Sequence, residues 1–202
     1  MKRQIGIAAI VIAAMVLPAA AATIFSENFN GATVGVKNVG AISGTQFSVA
    51  SGSVDVLGTG FGAFLCVGSS SGNCVDLNGD AAGRLSTTSP IVLAAGSYVL
   101  TFTLNGSQRG VATSTTVSLG SLFTQTFPEN SGDLNVFAIN FSVASSTSAT
   151  LTFTSNTSGA TGALLDNISL DTSTVPEPTT FILIGGGLLP IALLARKRIS
   201  KK

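Results

Sequence analysis

The chain has 202 residues, of which only 9% are charged and 45% are hydrophobic. The charged fraction is far below the ~25% of a typical soluble domain, but the high apolar content excludes a disordered chain. His and Trp are absent from the sequence. Without His, neither a Ser-His-Asp triad nor a His-based zinc site can be built.

The charges are distributed unevenly along the chain. Seven of the ten basic residues lie near its two ends, and between residues 23 and 174 three basic residues stand against eight acidic ones, a net charge of −5. Nucleic-acid-binding domains carry a basic surface. We therefore expect no nucleic-acid partner.

The N-terminal segment has the organisation of a secretory signal. Lys2 and Arg3 precede an uncharged apolar run over residues 5–17, which is followed by Pro18 and four alanines. This order predicts a signal peptide over residues 1–22, cleaved after one of residues 20–22, and export across the inner membrane. The alternative is an uncleaved anchor helix, for which the apolar run is short.

The two cysteines, Cys66 and Cys74, are separated by a segment rich in Gly and Ser. In an exported protein, such a pair is expected to form a disulfide that closes a small loop. The alternative is a redox-active pair, but such pairs normally have the closer C-x-x-C spacing.

The region between the two ends is predicted to be all-β. Tyr98, Leu100, Phe102 and Leu104 recur at every second position, which places them on one inward face. Strands are predicted over residues 46–50, 54–57, 63–67, 84–86, 98–104, 115–119, 136–143, 149–155 and 164–170. Short strands separated by Gly, Asn and Ser clusters predict a single β-sandwich or barrel over residues 23–171.

Four segments of this region resemble the jelly-roll, galactose-binding-like fold of many carbohydrate-binding modules. They are Glu27-Asn28-Phe29-Asn30-Gly31, residues 75–79, residues 95–102 and Leu165-Asp166-Asn167-Ile168-Ser169-Leu170. The resemblance implies a jelly-roll-like β-sandwich and a structural calcium where the first and last strands meet, with Asn30 and Asp166 at the matching positions. The alternative is that Asp166 and Asn167 only make turn or edge hydrogen bonds.

The C-terminal segment changes composition abruptly. A linker over residues 172–180 contains Val175, Pro176, Glu177 and Pro178, and an uncharged apolar stretch from residue 181 ends at Arg196, Lys197 and Arg198. This arrangement predicts a membrane helix and stop-transfer tail over residues 181–202.

The Pro-Glu-Pro element, apolar stretch and basic cluster together resemble the PEP-CTERM sorting domain. The resemblance implies transient anchoring in the cytoplasmic membrane and processing by an exosortase. It also implies a final place at the cell surface or outside the cell, in bacteria that make exopolysaccharide. The alternative is a plain membrane-anchored ectodomain.

These features predict a non-enzymatic surface or matrix protein, with no catalytic residues, associated with exopolysaccharide or biofilm. A carbohydrate-binding module with structural calcium is the alternative. Asp76 and Asp80 flank Asn78-Gly79, and this spacing predicts a solvated turn rather than a calcium loop, because no distal Glu follows. No pattern places two acids together in a cleft, as glycoside hydrolysis would need.

Overall fold

The structure, a computed structural model, describes residues 21–68 and 72–173. The sorting motif, the predicted membrane segment and the first twenty residues of the predicted signal peptide lie outside these ranges. Within them the chain forms fifteen β-strands and one short 3-10 helix. None of the helical structure in these ranges has the length and apolar character of a membrane span.

The strands are short and follow one another closely along the chain. They are β1 (Thr23–Glu27), β2 (Gly35–Lys37), β3 (Gly40–Ala41), β4 (Phe47–Ser51), β5 (Val54–Leu57), β6 (Cys74–Asp76), β7 (Arg84–Thr87), β8 (Ile91–Leu93), β9 (Gly96–Asn105), β10 (Thr113–Leu119), β11 (Phe123–Glu129), β12 (Val136–Val143), β13 (Thr147–Ala149), β14 (Leu151–Ser155) and β15 (Leu164–Thr172). The 3-10 helix η1 covers Ala63–Leu65.

Two antiparallel sheets share one hydrophobic core. The first has the strand order β12-β9-β15-β6-β5-β2, with β1 also paired to β15, and the second has the order β11-β10-β14-β7-β4-β3. Strands β8 and β13 form a separate two-stranded sheet. The predicted all-β, jelly-roll-like sandwich is thus confirmed.

The core follows from the alternation seen in the sequence. Tyr98, Leu100, Phe102 and Leu104 are all buried, as the inward face of β9 requires. The ring of Phe102 lies 5.4 Å from that of Phe153 in the opposite sheet, which joins the two layers. Edge-to-face packing of this kind stabilises aromatic pairs beyond the burial of their area.

One predicted strand is wrong. Residues 63–67 form the helix η1 and the turn after it, because Gly62 enters the helix with a left-handed φ of 68° and Cys66 is bonded to Cys74 in β6. Leu65 packs with Leu57 and Leu164 in a small second cluster. The disulfide and this cluster hold the segment against the sheet without strand pairing.

The described residues form one compact unit, Ala21–Ser173, which contains its own core. The N–H of Ala22 donates to Thr172 Oγ1 at 2.8 Å, and the N–H of Thr172 donates to the carbonyl of Ala22 at 2.9 Å. The two ends of the unit are therefore hydrogen-bonded to each other. A unit with a complete core and paired ends is expected to fold by itself.

Phe102 provides a direct test of the core. Replacing it with Ala removes a fully buried ring that packs on Phe127, Phe137 and Phe153. We expect Phe102→Ala to lower the free energy of unfolding by about 3–5 kcal/mol, measured by urea titration of residues 21–173. Val92→Ala, at an exposed strand position, is the control and should change it little.

Candidate functional site

The two residues predicted to hold calcium lie in different settings. Asn30 is exposed after β1, and its Oδ1 accepts a hydrogen bond from the N–H of Asn73 at 2.9 Å. Asp166 is buried in β15, opposite Thr103 of β9. No group of three or more acidic or Cys side chains suited to a metal occurs in residues 21–68 and 72–173.

A groove of about 640 Å³ opens beside the pairing of the first and last strands. Three segments line it: the end of β1, the turn between β3 and β4, and a part of β15. The lining residues are Ser26, Glu27, Asn28, Gly44, Thr45, Gln46, Asn167, Ile168 and Ser169. Most carry an amide, hydroxyl or carboxylate, and none is cationic.

The carboxylate of Glu27 joins two walls of this groove. Its Oε1 accepts the N–H groups of Asn28 and Phe29 at 3.1 and 2.9 Å, and its Oε2 accepts the N–H of Gln46 at 2.9 Å. The Gln46 side chain in turn donates from Nε2 to the carbonyl of Ser26 at 2.9 Å. The groove is therefore held in shape by bonds between its own walls.

The turn on the far wall requires a glycine. Gly44 has a φ of 79°, and a Cβ there would lie 1.9 Å from the carbonyl oxygen of Gly31. No side chain fits at that distance, so Gly44 allows the turn to approach the segment after β1. Sequence reasoning missed Gln46 and Thr45 in this site, although the Glu27-Asn28 pair lay in a segment that it singled out.

An exposed aromatic ring lies next to the disulfide. The predicted bond between Cys66 and Cys74 is present, with a Cα–Cα distance of 5.7 Å. Phe64, in the helix η1 two residues before Cys66, is 81% exposed. Most other Phe residues belong to the core or pack against it, so Phe64 is an exception that the sequence pattern did not reveal.

Asp76 is fully buried, so the prediction of a solvated turn is wrong at this residue. Its Oδ1 accepts the N–H groups of Asn78 and Gly162 at 2.9 and 2.8 Å, and its Oδ2 forms an ion pair with Arg109. Asn78 Nδ2 donates to the carbonyls of Thr157 and Gly159. These contacts fix three loops around one carboxylate.

Burial dominates the ionisation of this carboxylate. Desolvation raises the pKa of Asp76 to about 6, although Arg109 and the two backbone N–H groups act in the opposite direction. Burial also raises the pKa of Asp55 and of Glu129. Asp55 lies opposite Asp76 on the neighbouring strand β5, and the contacts of Asp76 hold three loops together.

No family model matches the chain, and no curated protein matches its sequence. Solved structures that resemble it include the xylan-binding CBM22-1 domain of Xyn10C from Paenibacillus barcinonensis, with 14% identity, a TM-score of 0.48, and coverage of 78% of this chain and 98% of that one. A family 35 carbohydrate-binding module from Clostridium thermocellum has 11% identity, a TM-score of 0.41, and coverage of 77% and 100%.

A third similar structure contains the CBM22-1 and GH10 modules of xylanase 10B from Clostridium thermocellum, complexed with xylohexaose. It has 10% identity and a TM-score of 0.48, and the match covers 75% of this chain. The match spans 28% of that xylanase chain.

The raised pKa of Asp76 predicts how stability depends on pH. Because the folded state binds this proton more tightly than the unfolded state, Asp76 makes the free energy of unfolding fall as pH rises from about 4 through about 6. A shift of this size corresponds to on the order of 3 kcal/mol. Asp76→Asn, which stays neutral, should flatten this fall in melting temperature measured between pH 4.5 and 8.

Arg109→Met is the companion variant. Arg109 lowers the pKa of Asp76, so its loss should extend the fall in stability to higher pH and make the total fall larger. If the two variants and the wild type had parallel melting curves against pH, the assignment of this dependence to Asp76 would be wrong.

Proposed function

We propose that this chain is an exported, non-catalytic protein whose β-sandwich binds a neutral carbohydrate in the groove between β1, β15 and the β3–β4 turn. The groove carries the proposal, because its volume of about 640 Å³ falls in the range of small-ligand sites. The hydrogen bonds of Glu27 and Gln46 fix the walls of the groove, so little conformational entropy is lost on binding.

The lining chemistry favours sugars over charged ligands. The amide groups of Asn28 and Gln46 can donate to sugar hydroxyls. The hydroxyl oxygens of Thr45 and Ser169, whose hydrogens go to Ile42 and Asp171, can accept from them. Glu27 is the one charged lining residue, and with no cation at the groove a phosphate or an acidic polymer has no counter-charge. A neutral, hydroxyl-rich polysaccharide fits this surface best.

The proposed cellular location is inferred from the segments at the two ends of the chain. The signal peptide exports the domain, and the tail with Pro176, Glu177 and Pro178 is anchored in the cytoplasmic membrane until an exosortase processes it. The mature domain then lies at the cell surface or outside the cell, where exopolysaccharide is the available partner. What supports this part is the order of the sequence segments alone.

Calcium at Asn30 and Asp166 remains part of the proposal. The amide oxygen of Asn30 has a second lone pair beside the one that accepts the Asn73 N–H, and the Asp166 carboxylate supplies the kind of oxygen ligand that calcium prefers. These two side chains would hold the ion near the ends of the first and last strands. The role of the ion there would be structural.

Affinity electrophoresis of residues 21–173 in gels that contain neutral polysaccharides, including xylan and galactan, tests the binding. We expect at least one polysaccharide to retard the wild type and Gln46→Ala to lose most of the retardation, because a groove donor is removed. Gln125→Ala, at an exposed position of β11, is the matched control. Gels run with calcium and with EDTA examine the metal at the same time.

Phe64→Ala distinguishes the groove from the exposed ring beside the disulfide. Retardation that survives Phe64→Ala but not Gln46→Ala supports the groove. The reverse result would move the site to the exposed ring of Phe64, and no retardation by any neutral polysaccharide would refute carbohydrate binding.

Mass spectrometry of the C-terminus, on protein from the membrane and extracellular fractions of its native host, tests the sorting tail. We expect the extracellular protein to lack everything beyond the Pro176–Pro178 region. An intact Lys202 found in the membrane fraction alone would instead mean a plain anchored ectodomain.

A further inference from the structure

The outer strands of the two main sheets differ in how well they resist pairing with another chain. At one end of the sandwich, β2 has three residues, including Lys37, and β3 has two residues. At the other end of the second sheet, β11 contains Pro128, which has no backbone N–H to donate. Short strands, Lys and Pro are the usual protection of a sheet edge.

The edge of β1 is also covered. Gln46 Nε2 donates to the carbonyl of Ser26, and this places a side chain where an added strand would bind. Strand β12 has none of these features. It has eight residues, Val-Phe-Ala-Ile-Asn-Phe-Ser-Val, with no charge, Pro or Gly.

The hydrogen bonds to β9 show which backbone groups of β12 face outward. The N–H of Leu104 donates to the carbonyl of Asn135 at 3.0 Å, and the register continues with Phe137 opposite Phe102. Antiparallel pairs alternate along a strand. The backbone groups of Phe137, Ile139 and Phe141 therefore point to β9.

The backbone groups of the residues in between point away from β9. Ala138, Asn140 and Ser142 direct their N–H and C=O to the free side of β12, and all three residues are exposed. In the described part of the chain β12 pairs with β9 alone. This edge thus offers a row of backbone donors and acceptors with no charge to deter a partner.

We propose that β12 is a self-association edge, on which the β12 of a second copy pairs antiparallel about a twofold axis through Asn140. This inference does not depend on carbohydrate binding. A shift by one residue is excluded, because it would oppose core-facing side chains to solvent-facing ones. We place the axis at Asn140 because Ile139 then lies opposite Phe141 of the second copy on the core side.

The pairs formed in this register are compatible on both faces. On the core side, Ile139 lies opposite Phe141 of the second copy, and Phe137 lies opposite Val143. Aromatic and β-branched pairs of this kind stabilise sheets. On the outer side, Asn140 lies opposite Asn140 and Ala138 opposite Ser142, so no like charges meet.

The predicted association is weak. The outward N–H and C=O groups of Ala138, Asn140 and Ser142 can form about six backbone hydrogen bonds between the two copies. A single strand pair buries less than the ~800 Å² per partner of a standard stable complex. Dimers should therefore form at high protein concentration, such as that of a crowded surface layer.

Sedimentation velocity of residues 21–173, over a concentration series that reaches the millimolar range, tests the proposal. We expect the wild type to shift from monomer to dimer. Asn140→Lys should remain monomeric, because two like charges would lie opposite each other at the axis, and Asn140→Glu should behave the same way. Since the Asn140 side chain is exposed, both variants should melt as the wild type does.

An equimolar mixture of Asn140→Lys and Asn140→Glu is the decisive sample, because opposite charges then meet at the axis and dimers should return. Ser148→Lys, at an exposed position of β13, is the control and should dimerise like the wild type. A wild type that stays monomeric throughout, an Asn140→Lys variant that still dimerises, or a mixture that stays monomeric would each overturn the proposal.

Discussion

The pairing of β15 with three other strands is the constraint on which the rest of this structure depends. Strand β15 pairs with β9 along most of its length, with β6 through its first two residues and with β1 through its later ones. It is also the last strand of the described unit. The first sheet therefore cannot close until nearly the whole domain has been synthesised, and its completion also fixes the N-terminal strand.

An irregularity in β15 connects this pairing to the groove. Between Asp166 and Ser169 the strand has one residue more than β9 opposite it, and Asn167 takes a left-handed φ of 48°. Asn tolerates that conformation better than most residues. Because of the extra residue, Leu165 and Ile168 both face the core although they are three apart, and Asn167 and Ser169 lie at the groove. The extra residue in β15 therefore shapes both the sheet and the candidate site.

Much of the fold could be predicted where a strand has one buried and one exposed face. Val136–Val143 alternates strictly, and its predicted bounds agree with the structure. Prediction failed where other forces decide. Residues 63–67 are held by a disulfide and a local apolar cluster, and β11, with Pro128 and several polar residues, becomes a strand because β10 pairs with it along its full length.

The candidate site was less predictable than the fold, for a physical reason. Glu27 and Gln46 are nineteen residues apart, and only the pairing of β1 with β15 and the turn after β3 bring them together. The burial of Asp76 was hidden in the same way, since Arg109 comes from a loop that follows β9. Local spacing carries no information on contacts that the sheet topology creates.

The small number of charged residues has consequences for the groove, for the buried carboxylate of Asp76 and for the free edge of β12. With eleven charged residues between positions 23 and 174, few are left for surface protection once Asp76 and Arg109 are paired with each other and Glu27 is used in the groove wall. The sheet edges are accordingly protected mainly by short strands, Pro128 and the Gln46 side chain, with Lys37 as a charged exception. Strand β12 must be long to cover the core at Phe137 and Phe141, which pack on Phe127 and Phe123 of β11. Strand β12 is long because it closes the sandwich, and its outer face is uncharged because the domain has few charged residues. Together these two properties leave its edge able to pair with a second copy.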